Sequence, residues 1–155
     1  MSLAEEVELL RNIPLFAHIE ISKLKLLAFT SERVTFHAGD LLFRQDEIGN
    51  NAYIIIEGEA EVVIETPGGL LPVAQVRRND FVGEIAILCD VPRTASVRAV
   101  TDLTTLCISK DLFFRLINEF PQMAVQIMRV LAQRLEKTTR QLRQAVTGHQ
   151  IGVPE

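Results

Sequence analysis

The chain is poor in the residues that build metal and nucleophilic sites. It carries two cysteines and three histidines in 155 residues. His18, His37 and His149 are scattered, and Cys89 and Cys107 form no Cys-x-x-Cys pair; no metal site is expected. No nucleophile–base arrangement is recognisable around Ser96 or Ser109, and no carboxylates stand at a convincing metal-binding spacing. The reading is therefore that the chain is not an enzyme. An excess of positive charge is also missing. A formal net charge of −4 argues against broad nucleic-acid binding, which needs a basic footprint, although Arg129–Arg143 is locally basic. Long apolar runs are absent as well. The opening MSLAEEVELL is acidic and interrupted, which predicts neither a signal peptide nor a span, and no later segment reaches spanning length. No membrane contact is expected. Two cysteines without a secretion signal favour reduced, buried thiols in a cytoplasmic protein, with a Cys89–Cys107 disulfide left open.

What is present is ordinary globular material, 48% hydrophobic and 23% charged, enough for one domain with a proper core. Leu3, Val7 and Leu10 predict a short amphipathic helix. Pro14 interrupts the pattern, and Ser22 is placed to cap a second helix reaching about Phe29. From Glu32 to Ser109 the texture becomes β-rich: VTF, LLF, AYIII, AEVVIE, LLPVAQV, TASVRAV and LTTLCIS, separated by turn signals such as Gly39-Asp40, Gly49-Asn50-Asn51, Gly58 and Pro67-Gly68-Gly69. Many short strands with close turns predict a β-sandwich or jelly roll of about eight strands, not a parallel α/β sheet. Helical periodicity returns over 111–119 and again from 122 to 146, where Gly148 is expected to end the last helix. The domain is thus predicted over 1–146, with a short flexible tail at 147–155.

The densest chemistry lies in Phe81–Ala99, FVGEIAILCDVPRTASVRA. Gly83 permits positive φ or close backbone approach. Ile85–Leu88 can form one helical turn whose free N–H groups point outward and attract an anion. Arg93 offers a fork of donors suited to phosphate oxygens, although a surface ion pair with Asp90 is the plainer alternative. Glu84, an acceptor-only carboxylate, suits a sugar hydroxyl rather than a phosphate; a capping role on the helical turn is compatible with that. Ala95 and Ser96 alternate on a strand, and one of them faces the pocket. The segment reads as a phosphate-and-ribose pocket.

Gly83-Glu84-Ile85-Ala86 followed by Pro92-Arg93-Thr94-Ala95-Ser96-Val97 resembles the phosphate-binding cassette of cyclic nucleotide-binding domains. Gly39-Asp40, Gly49 and the run Ala52–Gly58 are similar to the family's turn glycines and core strand. The resemblance, over roughly residues 12–145, implies a double-stranded β-helix with N-terminal helices and two C-terminal helices. It implies that Glu84 holds the ribose 2′-hydroxyl, and that Arg93, Thr94 and the backbone amides of Ile85, Ala86, Thr94 and Ala95 hold the cyclic phosphate. Gly83 and Ala86 are small so that the sugar-phosphate ring can approach. The implied ligand is cyclic AMP in preference to cyclic GMP, although Thr94 leaves guanine acceptable beside adenine. Ala132–Thr139 resembles the helix of the catabolite activator protein on which a hydroxyl pair meets adenine, which makes Thr138 and Thr139 candidate base contacts.

Ala124, Met128, Leu131, Leu135, Thr138, Leu142 and Ala145 alternate in steps of four and three. Such a seam either pairs two copies through the 122–146 helix or packs on its own domain. The residues after Val146 are too few for the winged helix-turn-helix of the family's transcription factors, so no direct DNA binding is expected. A regulatory module signalling through a downstream protein is the leading expectation. The sensor half of a catabolite-activator-type transcription regulator, and a nucleotide-independent interaction β-roll, are the alternatives.

Overall fold

The computed structural model describes residues 2–151, with side chains through Thr147. The chain divides into two compact units, Met1–Leu116 and Ile117–Glu155.

The first unit opens with α1 (Leu3–Arg11), a 3-10 turn at Pro14–Phe16, and α2 (Ile21–Thr30). Ser2 caps α1 by accepting from the Glu5 amide at 3.2 Å. Ser22 does not cap α2 as expected; it sits inside the helix. Glu20, extended at ψ 146, is the boundary residue, and its carbonyl accepts from the amides of Lys23 and Leu24 at 3.0 Å each. The helical leader buries Val7, Leu10, Ile13, Phe16, Ile19, Leu24 and Leu27. Small clefts lined by Leu10, Ala28 and Leu106, and by Ile13 and Ile56, mark where it meets the β-sheet.

Eight antiparallel strands follow: β1 (Glu32–Phe36), β2 (Leu41–Phe43), β3 (Asn51–Glu57), β4 (Ala60–Thr66), β5 (Gly69–Val76), β6 (Phe81–Val82), β7 (Ser96–Ala99) and β8 (Leu103–Ser109). They form two four-stranded sheets, ordered β1-β8-β3-β6 and β2-β7-β4-β5, the double-stranded β-helix expected. Leu42, Ile55, Ala60, Val76, Val82, Val97, Ala99 and Leu103 fill the space between the sheets. Burying a side chain of the size of Ile55 contributes roughly 1.5–3 kcal/mol. Period-two alternation is visible along β3: Ala52, Ile54 and Ile56 are buried on one face, while Tyr53 and Ile55 face the roll interior. Pro72 is tolerated in β5 because that strand is a sheet edge and the register shifts there, between Val62 and Val63. The two residues of β6 are too few to show any periodicity, which is why no β run marks them in the sequence.

Helix α3 (Glu84–Cys89) lies between β6 and β7, and α4 (Lys110–Glu119) leaves β8 directly. In the second unit Pro121 occupies the first turn of α5 (Pro121–Ile151), where its missing N–H costs nothing. The helix runs past the stop expected at Val146. One glycine, Gly148, costs only about 1 kcal/mol against alanine in a helix, too little to end it. Of the expected tail, 147–151 is therefore helical, and 152–155 lies outside the described residues. No helix among the described residues is long and apolar enough to cross a membrane. Both cysteines are free thiols, but only Cys107 is half-buried; Cys89, expected to be buried, is exposed. It ends α3 just before Asp90, whose left-handed backbone turns the chain away.

Candidate functional site

The site is assembled around the side chain of Arg93, which is 4% exposed. Its main chain is clamped on both sides by the loop after β2. The Arg93 amide donates to the Glu47 carbonyl, and the Asp46 amide donates to the Arg93 carbonyl, each at 2.8 Å. Its guanidinium then crosses to the opposite sheet. Nη1 donates to the Gly83 carbonyl at 2.9 Å and Nη2 to the Asn51 carbonyl at 2.7 Å. Cζ lies 4.0 Å from the centroid of the Phe43 ring. Nε is buried without a hydrogen-bond partner. The alternative of an Arg93–Asp90 surface pair does not hold. Asp90 pairs instead with Lys110 at 3.5 Å, and Arg93 points inward.

Two glycines make room for this group. Gly83 has φ 89 and ψ 0, a conformation that strains any residue with a Cβ. A Cβ there would also stand 2.6 Å from Arg93 Nη1 and 3.0 Å from the Asn51 carbonyl oxygen. Gly49 has no positive φ; it is required sterically, because a Cβ would overlap Nε, Cζ and Nη2 of Arg93.

Neutral carbonyls hold the guanidinium in place but do not cancel its charge. Burial accordingly lowers the Arg93 pKa, opposed by Tyr53, Cys107, Glu47 and Glu84 in turn. Arginine stays protonated regardless. The consequence is a buried cation with donor capacity to spare, an arrangement that an anion would stabilise. Glu84, the first residue of α3, is itself only 3% exposed. Ala86 is buried beside it, while Ile85 faces outward.

Of the remaining expected residues, Thr94 is exposed and Ala95 half-buried where β7 begins. Ser96 is 1% exposed, and its Oγ accepts from the Gln45 amide at 2.8 Å. That bond ties the loop after β2 to β7 and so supports the backbone of Arg93. Gly83, Glu84, Ile85, Ala86, Arg93, Thr94, Ala95 and Ser96 all belong to the first unit. Thr138 and Thr139 lie on α5 in the second, and both are exposed. Among the described residues no group of three or more His, Cys, Asp or Glu side chains is placed to hold a metal ion.

Sequence reading missed the other half of the arginine's surroundings: Phe43, the carbonyl of Asn51, and the loop 44–48. Gly49 stood out only as a turn glycine. Nothing in the local text QDEIGN signals that its glycine packs against an arginine more than forty positions away in sequence (93 − 49 = 44). The same loop also reaches the start of α4, where the Lys110 amide donates to the Asn50 carbonyl at 2.8 Å.

Comparisons with known proteins bear on the family and the fold. A family model described as the cyclic nucleotide-binding domain matches residues 33–120. A CRP-like cAMP-activated global transcriptional regulator of Mycobacterium tuberculosis is 29% identical over 136 residues, 87% of this chain and 61% of that protein. The chain thus spans about three fifths of that regulator's length. The cAMP-dependent protein kinase regulatory subunit of Schizosaccharomyces pombe is 32% identical over 78% of this chain and 28% of its own length. Among solved structures, the catabolite activator protein of Thermus thermophilus superposes with a TM-score of 0.74 at 25% identity, covering 86% of this chain and 63% of that one. With the family model matched over residues 33–120, a span that includes α3, Arg93 and, apart from the first residue of β1, the eight strands, the chain belongs to the cyclic nucleotide-binding domain family.

Proposed function

We propose that this chain senses a cyclic nucleoside monophosphate, cyclic AMP in preference to cyclic GMP, and passes the signal to a partner protein. The observation that carries the reading is Arg93: a buried guanidinium, held by two neutral carbonyls, with Nε unpaired. A cyclic phosphate at this arginine adds negative charge beside a guanidinium whose own hydrogen-bond partners are neutral. Glu84 accepts from the ribose hydroxyl, and Thr94 adds a hydroxyl to the phosphate. Ser96 contributes indirectly, through the Gln45 amide. The preference for adenine is supported by the cAMP-linked names of the mycobacterial and fission-yeast relatives. Thr94 tempers it.

Calorimetric titration with cyclic AMP and cyclic GMP, with Arg93→Ala alongside, tests the reading. Saturable binding to the wild type, weakened by roughly 2–4 kcal/mol in the variant, is expected for removal of one partner of a buried charge pair. No heat at millimolar nucleotide, in protein shown to be nucleotide-free, would leave a nucleotide-independent interaction module.

A homodimer through α5 is part of the same proposal. Met128, Leu135 and Leu142, seven residues apart, are exposed at 60%, 68% and 65%, a seam of the kind two helices cover together. Equilibrium sedimentation of the wild type and of Leu135→Lys tests it; a wild-type monomer at all concentrations would refute it. Resemblance to the mycobacterial regulator favours a second reading of the output, a sensor serving a transcription regulator.

A further inference from the structure

We propose that Phe43 is a positioning residue for ligand recognition, acting through Arg93. The proposal rests on the reading that the cassette binds a cyclic nucleotide. Phe43 ends β2 at a register irregularity, where it is the partner of Val97. Its ring stacks on Tyr53 with centroids 6.2 Å apart and planes at 26°. Tyr53 is braced in turn by the edge-on ring of Phe36, at 6.0 Å and 74°. The guanidinium of Arg93 lies over the Phe43 ring, with Cζ 4.0 Å from its centroid.

The arrangement matters because of what each contact consumes. Arginine has five N–H donors, all in the guanidinium plane. The carbonyls of Gly83 and Asn51 each take one. An aromatic face attracts the cation through its π electrons and takes none. Phe43 therefore bears on the orientation of the guanidinium without consuming any of its remaining donors. A leucine at 43 would fill comparable apolar space without offering a π face, leaving the guanidinium to be oriented by its two carbonyls alone. The braced Tyr53–Phe36 pair keeps the Phe43 ring itself from tilting away.

The test compares wild type, Phe43→Leu and Phe43→Tyr in titrations with cyclic AMP, with a thermal melt confirming that each is folded. The unliganded proteins are also observed by 15N NMR of arginine side chains, the Arg93 Nε–H signal being assigned by its disappearance in Arg93→Lys. Phe43→Leu is expected to bind about tenfold more weakly, the scale of a desolvated cation–π contact, and Phe43→Tyr to restore affinity to within about twofold of wild type. The Arg93 signal is expected to be displaced upfield by the ring in wild type and Phe43→Tyr, and to return toward ordinary arginine values in Phe43→Leu. Unchanged affinity in Phe43→Leu, or equal losses in both variants, would overturn the positioning role. An undisplaced wild-type signal would overturn the contact itself. Absence of cyclic AMP and cyclic GMP binding by the wild type would instead overturn the ligand reading, while the NMR signal still reports on Phe43 and Arg93.

Discussion

Replacing Gly49 with alanine gives a stability effect whose sign depends on a residue far away in sequence. Gly49 has no positive φ, so alanine fits its backbone and, by narrowing the unfolded ensemble, should stabilise by about 0.4–1 kcal/mol. The new Cβ, however, overlaps Nε, Cζ and Nη2 of Arg93. The guanidinium cannot slide aside. Its two Nη atoms are bonded at 2.9 and 2.7 Å, a ring lies 4.0 Å below, and the Arg93 main chain is fixed to residues 46 and 47. It must leave its bed, giving up two hydrogen bonds from a charged donor, each about 1.5–3 kcal/mol before water replaces part of it, and a cation–π contact of about 0.5–2 kcal/mol. After partial resolvation and the entropic gain, a net loss of about 1–3 kcal/mol is expected, or several degrees in melting temperature for a chain of this size. Urea denaturation of unliganded protein measures it, in wild-type and Arg93→Ala backgrounds. Without the guanidinium the space is open, and Gly49→Ala should be neutral or stabilising. Equal destabilisation in both backgrounds would refute the reasoning, because the Cβ would then be meeting something other than Arg93.

Gly83→Ala combines left-handed strain with a clash against Arg93 Nη1 and the Asn51 carbonyl. It should cost at least about 2 kcal/mol, and unlike Gly49→Ala it should remain destabilising in an Arg93→Ala background. Ser96→Ala leaves the Gln45 amide without its acceptor and should lower stability by about 1–3 kcal/mol; an unchanged urea midpoint would rule that role out. Ellman's reagent should titrate exposed Cys89 first, since Cys107 is half-buried and burial pushes its thiol pKa up; the reverse order in Cys89→Ser and Cys107→Ser variants would contradict the burial. Burial also raises the pKa of Tyr53. Both groups hold their protons more tightly folded than unfolded, so stability should fall as pH rises above the ordinary thiol value of 9.0 and through the raised folded values. A flat stability profile from pH 8 to about 11 would refute this.

Much of the architecture was legible because it is written in local periodicity. LLF, AYIII, AEVVIE, LLPVAQV and LTTLCIS all lie in strands, since alternation of apolar side chains is a property of adjacent residues. The cassette was legible for a similar reason: Gly83, Glu84 and Arg93 lie within eleven positions (83 to 93), and each has chemistry that limits its uses. Where the sequence misled, a non-local balance decided. Ser22 looked like a cap, but Glu20 marks the turn into α2. Gly148 looked like a stop, but one glycine does not outweigh a long helix.

By itself the sequence determined the β-roll pattern, the family to which the cassette belongs, and which residue types are present to meet an anion. Only the tertiary structure decided what surrounds the arginine. Phe43, Gly49, Asn51 and Gly83 come from β2, the loop after it, β3 and the start of α3, and they meet Arg93 only because the fold brings strands of both sheets to one place. Backbone carbonyls and a ring face carry no signature in a one-dimensional text. Their roles depend on where the fold aims them, and that follows from long-range packing of the roll interior rather than from any neighbour in the chain.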